Sequence, residues 1–135
     1  MATIFDKILD GEIPNYTVYE NEHALAFLDI NPAAKAHTLV IPKQRVSSID
    51  QLRPEVASGF IHAIQQVNSL LKEKLGCDGI NHLIADGSVA GQEVMHLHMH
   101  LVPRFKGDGL RMHPVGKNID MSADEFKQLQ KQLQD

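Results

Sequence analysis

Residues Met95 to Val102 read Met-His-Leu-His-Met-His-Leu-Val, with histidine at 96, 98 and 100 and Met95, Leu97, Met99 and Leu101 between them. A period of two is the pattern of a half-buried strand, because successive side chains point to opposite faces. The spacing predicts a strand from Met95 to Val102 with three imidazoles on one face and only apolar groups, packed on a core, on the other. Solvent-facing strand positions are ordinarily Thr, Lys or Glu, so three histidines are an odd choice for solubility. Imidazole has an ordinary pKa of about 6.5, which suits it to act as nucleophile, base or acid at neutral pH, and it is the commonest metal ligand. The preceding stretch, Gly87 to Val94, reads as a turn that aims groups at the histidine face.

The remaining chain supplies a sheet and its cover. Thr3 is placed to cap a short helix with Ile4, Phe5, Ile8 and Leu9 on one stripe, and Gly11 ends it. Tyr16–Glu20 and Ala24–Ile30 read as a hairpin joined at Asn21-Glu22, and His37–Ile41 as a third strand stopped by Pro42. Pro54 suits the first turn of a long helix in which Val56, Phe60, Ala63, Ile64, Val67, Leu70 and Leu71 recur at helical spacing, with Gly76 at its end. Ile80–Ala85 is a fourth strand and the histidine segment a fifth. Arg111 to Asp120 shows no period. Ser122 to Glu125 is a capping box that opens a last helix with Phe126, Leu129 and Leu133 expected inward. The sum is one α+β domain over residues 1–135, a five-stranded, mainly antiparallel sheet with one long helix and short N- and C-terminal helices.

Composition narrows the function. The chain has 135 residues and a net charge of −4, so no overall basic field draws in nucleic acid, and the absence of Trp argues against a base-stacking platform. One cysteine, Cys77, excludes an internal disulfide and points to a reducing compartment. No apolar run is long enough to span a bilayer and the N-terminus lacks signal-peptide features, so no membrane partner and a cytoplasmic address are expected.

Three uses of the histidines compete. They are structural, or they hold a metal with help from His37 or Asp29, or one of them attacks phosphorus. A closed zinc site would draw on cysteine pairs that this chain lacks, whereas an open three-histidine site stays possible. Nucleophilic attack splits one difficult displacement into two easier ones. The glycines of Gly87-Ser88-Val89-Ala90-Gly91 let backbone N–H groups approach an anion without net positive charge.

His96-Leu-His98-Met-His100-Leu-Val, with Ala90-Gly91-Gln92 ahead and Pro103-Arg104 behind, resembles the histidine triad motif. Thr3 to Pro14, Phe27-Leu-Asp29-Ile-Asn-Pro32 and His37 to Lys43 are similar to that family's other blocks, in the same order. The likeness is greatest to small prokaryotic members of its nucleoside phosphoramidase branch. It implies a nucleotide hydrolase that cleaves the bond between the α-phosphate of a purine nucleotide and an amine through a nucleotidyl-histidine intermediate. His98 would be the nucleophile and His100 the contact to phosphate and leaving group. His96 and His37 would support the nucleophile's orientation. The nucleotide would meet Asp29 at its ribose and Ile4, Phe5, Ile8, Phe27 and Leu39 at its base. Asp86, Gln92, Glu93 and Val94 would lie along the phosphate. The resemblance also implies a homodimer and no cofactor. Other readings are a nucleotide-binding or interaction module with little turnover, a dinucleoside polyphosphate hydrolase and a metallohydrolase.

Departures from the family pattern carry their own expectations. Many prokaryotic relatives hold a zinc ion through a Cys-x-x-Cys pair and a later histidine, and Thr3, Asp6 and Arg45 stand at those positions here, so no metal is expected. Ala85-Asp86 replace the usual Asn before the turn glycine, and Glu93 replaces the usual Ser or Thr. A carboxylate aimed at a phosphate is unfavourable, which puts the substrate preference in question. His23, His62, His82 and His113 fall outside the motif and read as surface or structural histidines.

Overall fold

The computed structural model describes residues 2–111 and 119–134. His113 and most of the aperiodic stretch after Arg111 lie outside them. Three α-helices, α1 (Ile4–Leu9), α2 (Pro54–Leu75) and α3 (Ala123–Gln134), accompany five strands: β1 (Thr17–Glu20), β2 (Ala24–Leu28), β3 (Thr38–Pro42), β4 (Gly79–Leu83) and β5 (Met99–Arg104). The strands form one sheet in the order β1-β2-β3-β5-β4, and every adjacent pair is antiparallel. The α+β class and the five-stranded antiparallel sheet are as the patterning predicts.

β2 and β3 are covered on both sides, which is why Ala-Leu-Ala-Phe and Thr-Leu-Val-Ile-Pro read as continuous buried runs rather than alternations. Ala24, Ala26, Val40 and Leu101 share one cluster with Phe60, Ala63, Ile64, Val67 and Leu71 of α2. The alanines let the helix lie close. At Gly59 the approach is tight enough that an added Cβ would sit 2.7 Å from the Cβ of His23. Leu25, Phe27, Leu39 and Ile41 point the other way and meet Phe5, Ile8 and Leu9 of α1. Burying a side chain the size of Phe5 contributes about 2–3 kcal/mol to holding that short helix down.

The helix ends follow their sequence signals. Thr3 Oγ1 accepts from the Asp6 N–H at 3.2 Å while Asp6 Oδ2 accepts from the Thr3 N–H at 2.6 Å, a reciprocal cap for α1. Pro54 opens α2, and Gly76 closes it at φ +63°, a conformation that glycine adopts without strain.

Two expectations need correction. The histidine strand begins at Met99, not Met95. β3 pairs Val40 with Met99, but its last residue, Pro42, has no N–H to extend the ladder, and Leu97 N–H donates instead to Val46 O at 2.8 Å. Residues 95–98 therefore cross the sheet end as an irregular segment, and Met95 is exposed while Leu97 enters the α2-side core. The second correction is α3. Ser122 and Glu125 make the expected cap, yet Phe126 is 60% and Leu133 84% exposed, and no residue of the helix is buried. Both faces of the central strands are already taken by α1 and α2, so this apolar stripe finds no place on its own sheet.

Candidate active site

A cleft of about 530 Å³ opens on the α1 side of the sheet. Ile4, Phe5 and Ile8 of α1 form one wall, and Phe27 and Leu39 of β2 and β3 the floor. Phe5 and Phe27 stand edge to face, with ring centroids 5.8 Å apart. Ile4 stays exposed while facing the cleft, which marks it as lining rather than core. Asp29, His37, Glu93, Val94, His98 and His100 complete the polar end and the rim. Ile13, Pro14, Asn15 and Tyr16 also line the cleft and were missed from sequence. Their one signal was the extended Ile13-Pro14 step, which gives no hint that the segment folds over an apolar pocket.

The hydrogen bonds fix where each imidazole carries its proton. Ala33 N–H donates to His37 Nδ1 at 3.0 Å, so the neutral ring holds its proton on Nε2. That Nε2–H donates to His100 Nδ1 at 2.9 Å, which puts the His100 proton on Nε2. His98 is set differently: its Nδ1–H donates to the main-chain oxygen of His96 at 2.7 Å, leaving a lone pair on Nε2. His96 is 2% exposed and donates Nε2–H to Pro42 O at 2.9 Å. Its contribution to His98 is thus a carbonyl oxygen, and its ring faces away from the cleft lining. His37 orients His100 rather than the ring at position 98, which refines the expectation that both His37 and His96 serve His98.

Burial pushes the His37 and His96 pKa values below the ordinary imidazole value, opposed in His37 by the nearby Asp29 carboxylate. For His100, burial together with the neighbouring His98 and His37 rings brings the pKa down to about 4. These rings are neutral at pH 7. His98 and His100 lie with ring centroids 5.0 Å apart, and the Phe5 and His98 centroids are likewise 5.0 Å apart in an edge-to-face arrangement. The site therefore offers one imidazole lone pair beside one imidazole N–H donor against an apolar wall.

Asp29 serves two neighbours. Oδ1 accepts from the Asn31 N–H at 2.9 Å, capping the loop that Asn31-Pro32 opens, and Oδ2 lies 3.6 Å from His37 Nε2. The turn before the histidines is built as a closed loop. Gly87 and Gly91 adopt φ +93° and +101°, and the amides of Ala90, Gly91 and Gln92 bond within the turn. Gln92 is 4% exposed and does not line the cleft; its amide accepts from Gly87 N–H and donates to Ser47 O and Val94 O. Its side chain staples the turn, so its expected phosphate contact is corrected to a supporting one. Asp86 likewise turns outward, accepting from Ser48 Oγ at 2.8 Å. Among the described residues the amides of Glu93 and Val94, which line the cleft together with His98, carry no hydrogen bond.

The donor set does not fit a closed zinc site at Thr3, Asp6 and Arg45. Thr3 is spent on the helix cap, and Arg45 is itself a cation bound to Asp10. What remains is one oxygen of Asp6 and Nδ1 of His96. Within the cleft, Asp29, His37 and His100 bring three possible ligand atoms within 4.8 Å, but a cation there would displace the hydrogen bond from His37 to His100. Among the described residues no helix is long and apolar enough to cross a membrane.

Residues 10–107 match the HIT domain. An uncharacterized HIT-like protein of Methanocaldococcus jannaschii is 48% identical over 87% of this chain and 92% of its own length. The adenylylsulfatase HINT3 of Arabidopsis thaliana is 33% identical over 91% of this chain and 64% of its own, longer sequence. Among solved structures, a HIT family member from Bacillus subtilis superposes with a TM-score of 0.90 at 37% identity, covering 99% of this chain and 96% of that one. A histidine triad nucleotide-binding protein from Candida albicans gives 0.85 at 30% identity, covering 98% and 95%. Nucleotide binding and hydrolysis are thus activities found among its relatives, and the chain belongs to the HIT domain family.

Proposed function

We propose that the protein hydrolyses the bond between the α-phosphate of a purine nucleotide and an amine, with His98 as nucleophile. The observation that carries this reading is the bond from His98 Nδ1–H to His96 O, which leaves Nε2 unprotonated in a cleft with a purine-sized apolar wall. The base would lie between Phe5, Ile8, Phe27 and Leu39. Asp29 would accept a ribose hydroxyl, and the Glu93 and Val94 amides would hold phosphoryl oxygens as charge develops on them.

In the first step His98 Nε2 forms a bond to phosphorus and the P–N bond breaks. The nitrogen departs as the amine, taking one proton from solvent while His100 Nε2–H donates a hydrogen bond to it. In the second step water attacks phosphorus, the P–Nε2 bond breaks, His98 returns as neutral imidazole and the proton is released. Net consumption is one water per bond cleaved. Glu93 and Asp29 are the charged residues facing the cleft, with no Lys or Arg among the lining groups, which favours an amine over a polyphosphate as the group that leaves.

The proposal includes a homodimer in the cytoplasm, supported by the uncovered stripe of α3 and the edge position of β4; sedimentation would read two chains. The functional test pairs turnover of an adenosine phosphoramidate and of a diadenosine triphosphate with calorimetry on AMP. Faster cleavage of the phosphoramidate is expected. Tight AMP binding with no turnover of either would instead identify a binding module.

A further inference from the structure

We infer that Arg45 is a positioning residue for the nucleophile, supplying the cation that fastens α1 to the loop after β3, whose Val46 O in turn holds the segment carrying His96 and His98 through Leu97 N–H. The chain of contacts is continuous. Arg45 Nη2 and Nη1 donate to the two oxygens of Asp10 at 2.5 and 3.3 Å, and Nη1 stands 3.5 Å from Asp6 Oδ1. Asp6 Oδ1 is buried without a hydrogen bond and lies 3.8 Å from His96 Nδ1. His96 passes its Nε2–H to Pro42 O, and its own main-chain oxygen holds His98.

Because His96 Nε2 already carries the ring's proton, Nδ1 presents a lone pair to the carboxylate oxygen. Two acceptors facing each other repel. Arg45 offsets this by drawing the Asp6 charge toward itself, so α1 stays seated and His96 stays neutral. The groups facing His96 are Asp6 from α1, Arg45 from the loop after β3 and His98 from its own segment. Asp6, Arg45 and His96 border a separate cavity of about 590 Å³ and none of them lines the nucleotide cleft. Arg45 therefore acts through Asp6 and His96, not on substrate.

Without Arg45, the Asp6 carboxylate would draw a second proton from solvent onto His96 Nδ1. The resulting imidazolium would sit one residue from His98 and disfavour the positive charge that His98 acquires when it attacks. This consequence rests on the nucleophile assignment above, but the charge state of His96 does not.

The experiment is therefore NMR titration of ¹⁵N-histidine-labelled wild type, R45Q, R45K and D6N/R45Q. The His96 midpoint should rise by about one pH unit in R45Q, return in R45K, and return in D6N/R45Q, where the attracting carboxylate is gone. With an adenosine phosphoramidate, R45Q should lose about tenfold in kcat/KM at pH 6 and much less at pH 8. If R45Q does not fold, Arg45→Met, which keeps an unbranched apolar stem without the charge, should shift His96 in the same direction. An unchanged His96 midpoint in R45Q, or in Arg45→Met as its substitute, would overturn the inference. A shifted midpoint in a protein with no turnover would keep the clasp and sink the phosphoramidase reading.

Discussion

His96 and His98 lie one residue apart on the same segment, yet the structure uses them in opposite ways. His98 spends Nδ1–H on a carbonyl and keeps a lone pair on Nε2 at the cleft. His96 spends Nε2–H on Pro42 O and is buried against Asp6. The same side chain offers a lone pair to the cleft or braces the interior according to which ring nitrogen meets a carbonyl. What distinguishes them is not the residue type but the path of the chain, since Pro42 ends the β3 ladder and leaves 95–98 free to turn.

The sharpest break between the two is substitution by alanine. His98→Ala should lower kcat/KM by about 10⁴-fold or more, because the covalent route is lost. His96→Ala keeps the carbonyl that orients His98, so turnover should fall by no more than about 100-fold. Its larger effect should be on stability, about 3 kcal/mol in urea unfolding, from a cavity and an unpaired Pro42 oxygen. Equal kinetic losses in the two variants would erase the distinction.

A smaller effect separates the buried rings by pH. His100, His37 and His96 all have pKa values depressed in the fold, chiefly by burial, with His100 at about 4. Between the unfolded value of 6.5 and the folded one, the unfolded chain binds more protons, so stability rises with pH. The stabilisation is complete above about pH 6.5 and is lost as pH falls toward 4. His100→Asn should flatten that slope by about 2 kcal/mol after allowance for solvent screening, read by urea unfolding at pH 4.5 and 7. A slope unchanged by the substitution would place the burden on other groups. The smallest effect expected is that of chelator: if the nucleophile is an imidazole rather than a metal-bound water, turnover after dialysis against EDTA should stay within about twofold. A large loss would revive the cluster of Asp29, His37 and His100 as a metal site.

Much of this was legible from residue order. The capping box of α1, the Pro54 start and Gly76 stop of α2, and the antiparallel strands follow from local signals that tertiary packing did not override, whereas the apolar wall was expected only from the family resemblance. Ile4, Phe5, Phe27, Asp29, Leu39, His98 and His100 line one cleft. The rest depended on geometry that periodicity does not carry. A period of two across 95–102 looks the same whether or not the neighbouring strand can supply an N–H, and Pro42 cannot. Gln92 sits in the motif, but of its three side-chain hydrogen bonds two close the turn and the third exists only once Ser47 is brought alongside. The stripe of α3 specifies an amphipathic helix but not which surface has room for it.

The covalent intermediate is the most direct test of the nucleophile. Wild-type protein mixed rapidly with an adenosine phosphoramidate and quenched in base should yield an adenylyl group on one peptide, with ³¹P–¹⁵N coupling assigning it to Nε2 of His98. Full turnover with no adduct, or an adduct on His100 or His96, would contradict the assignment.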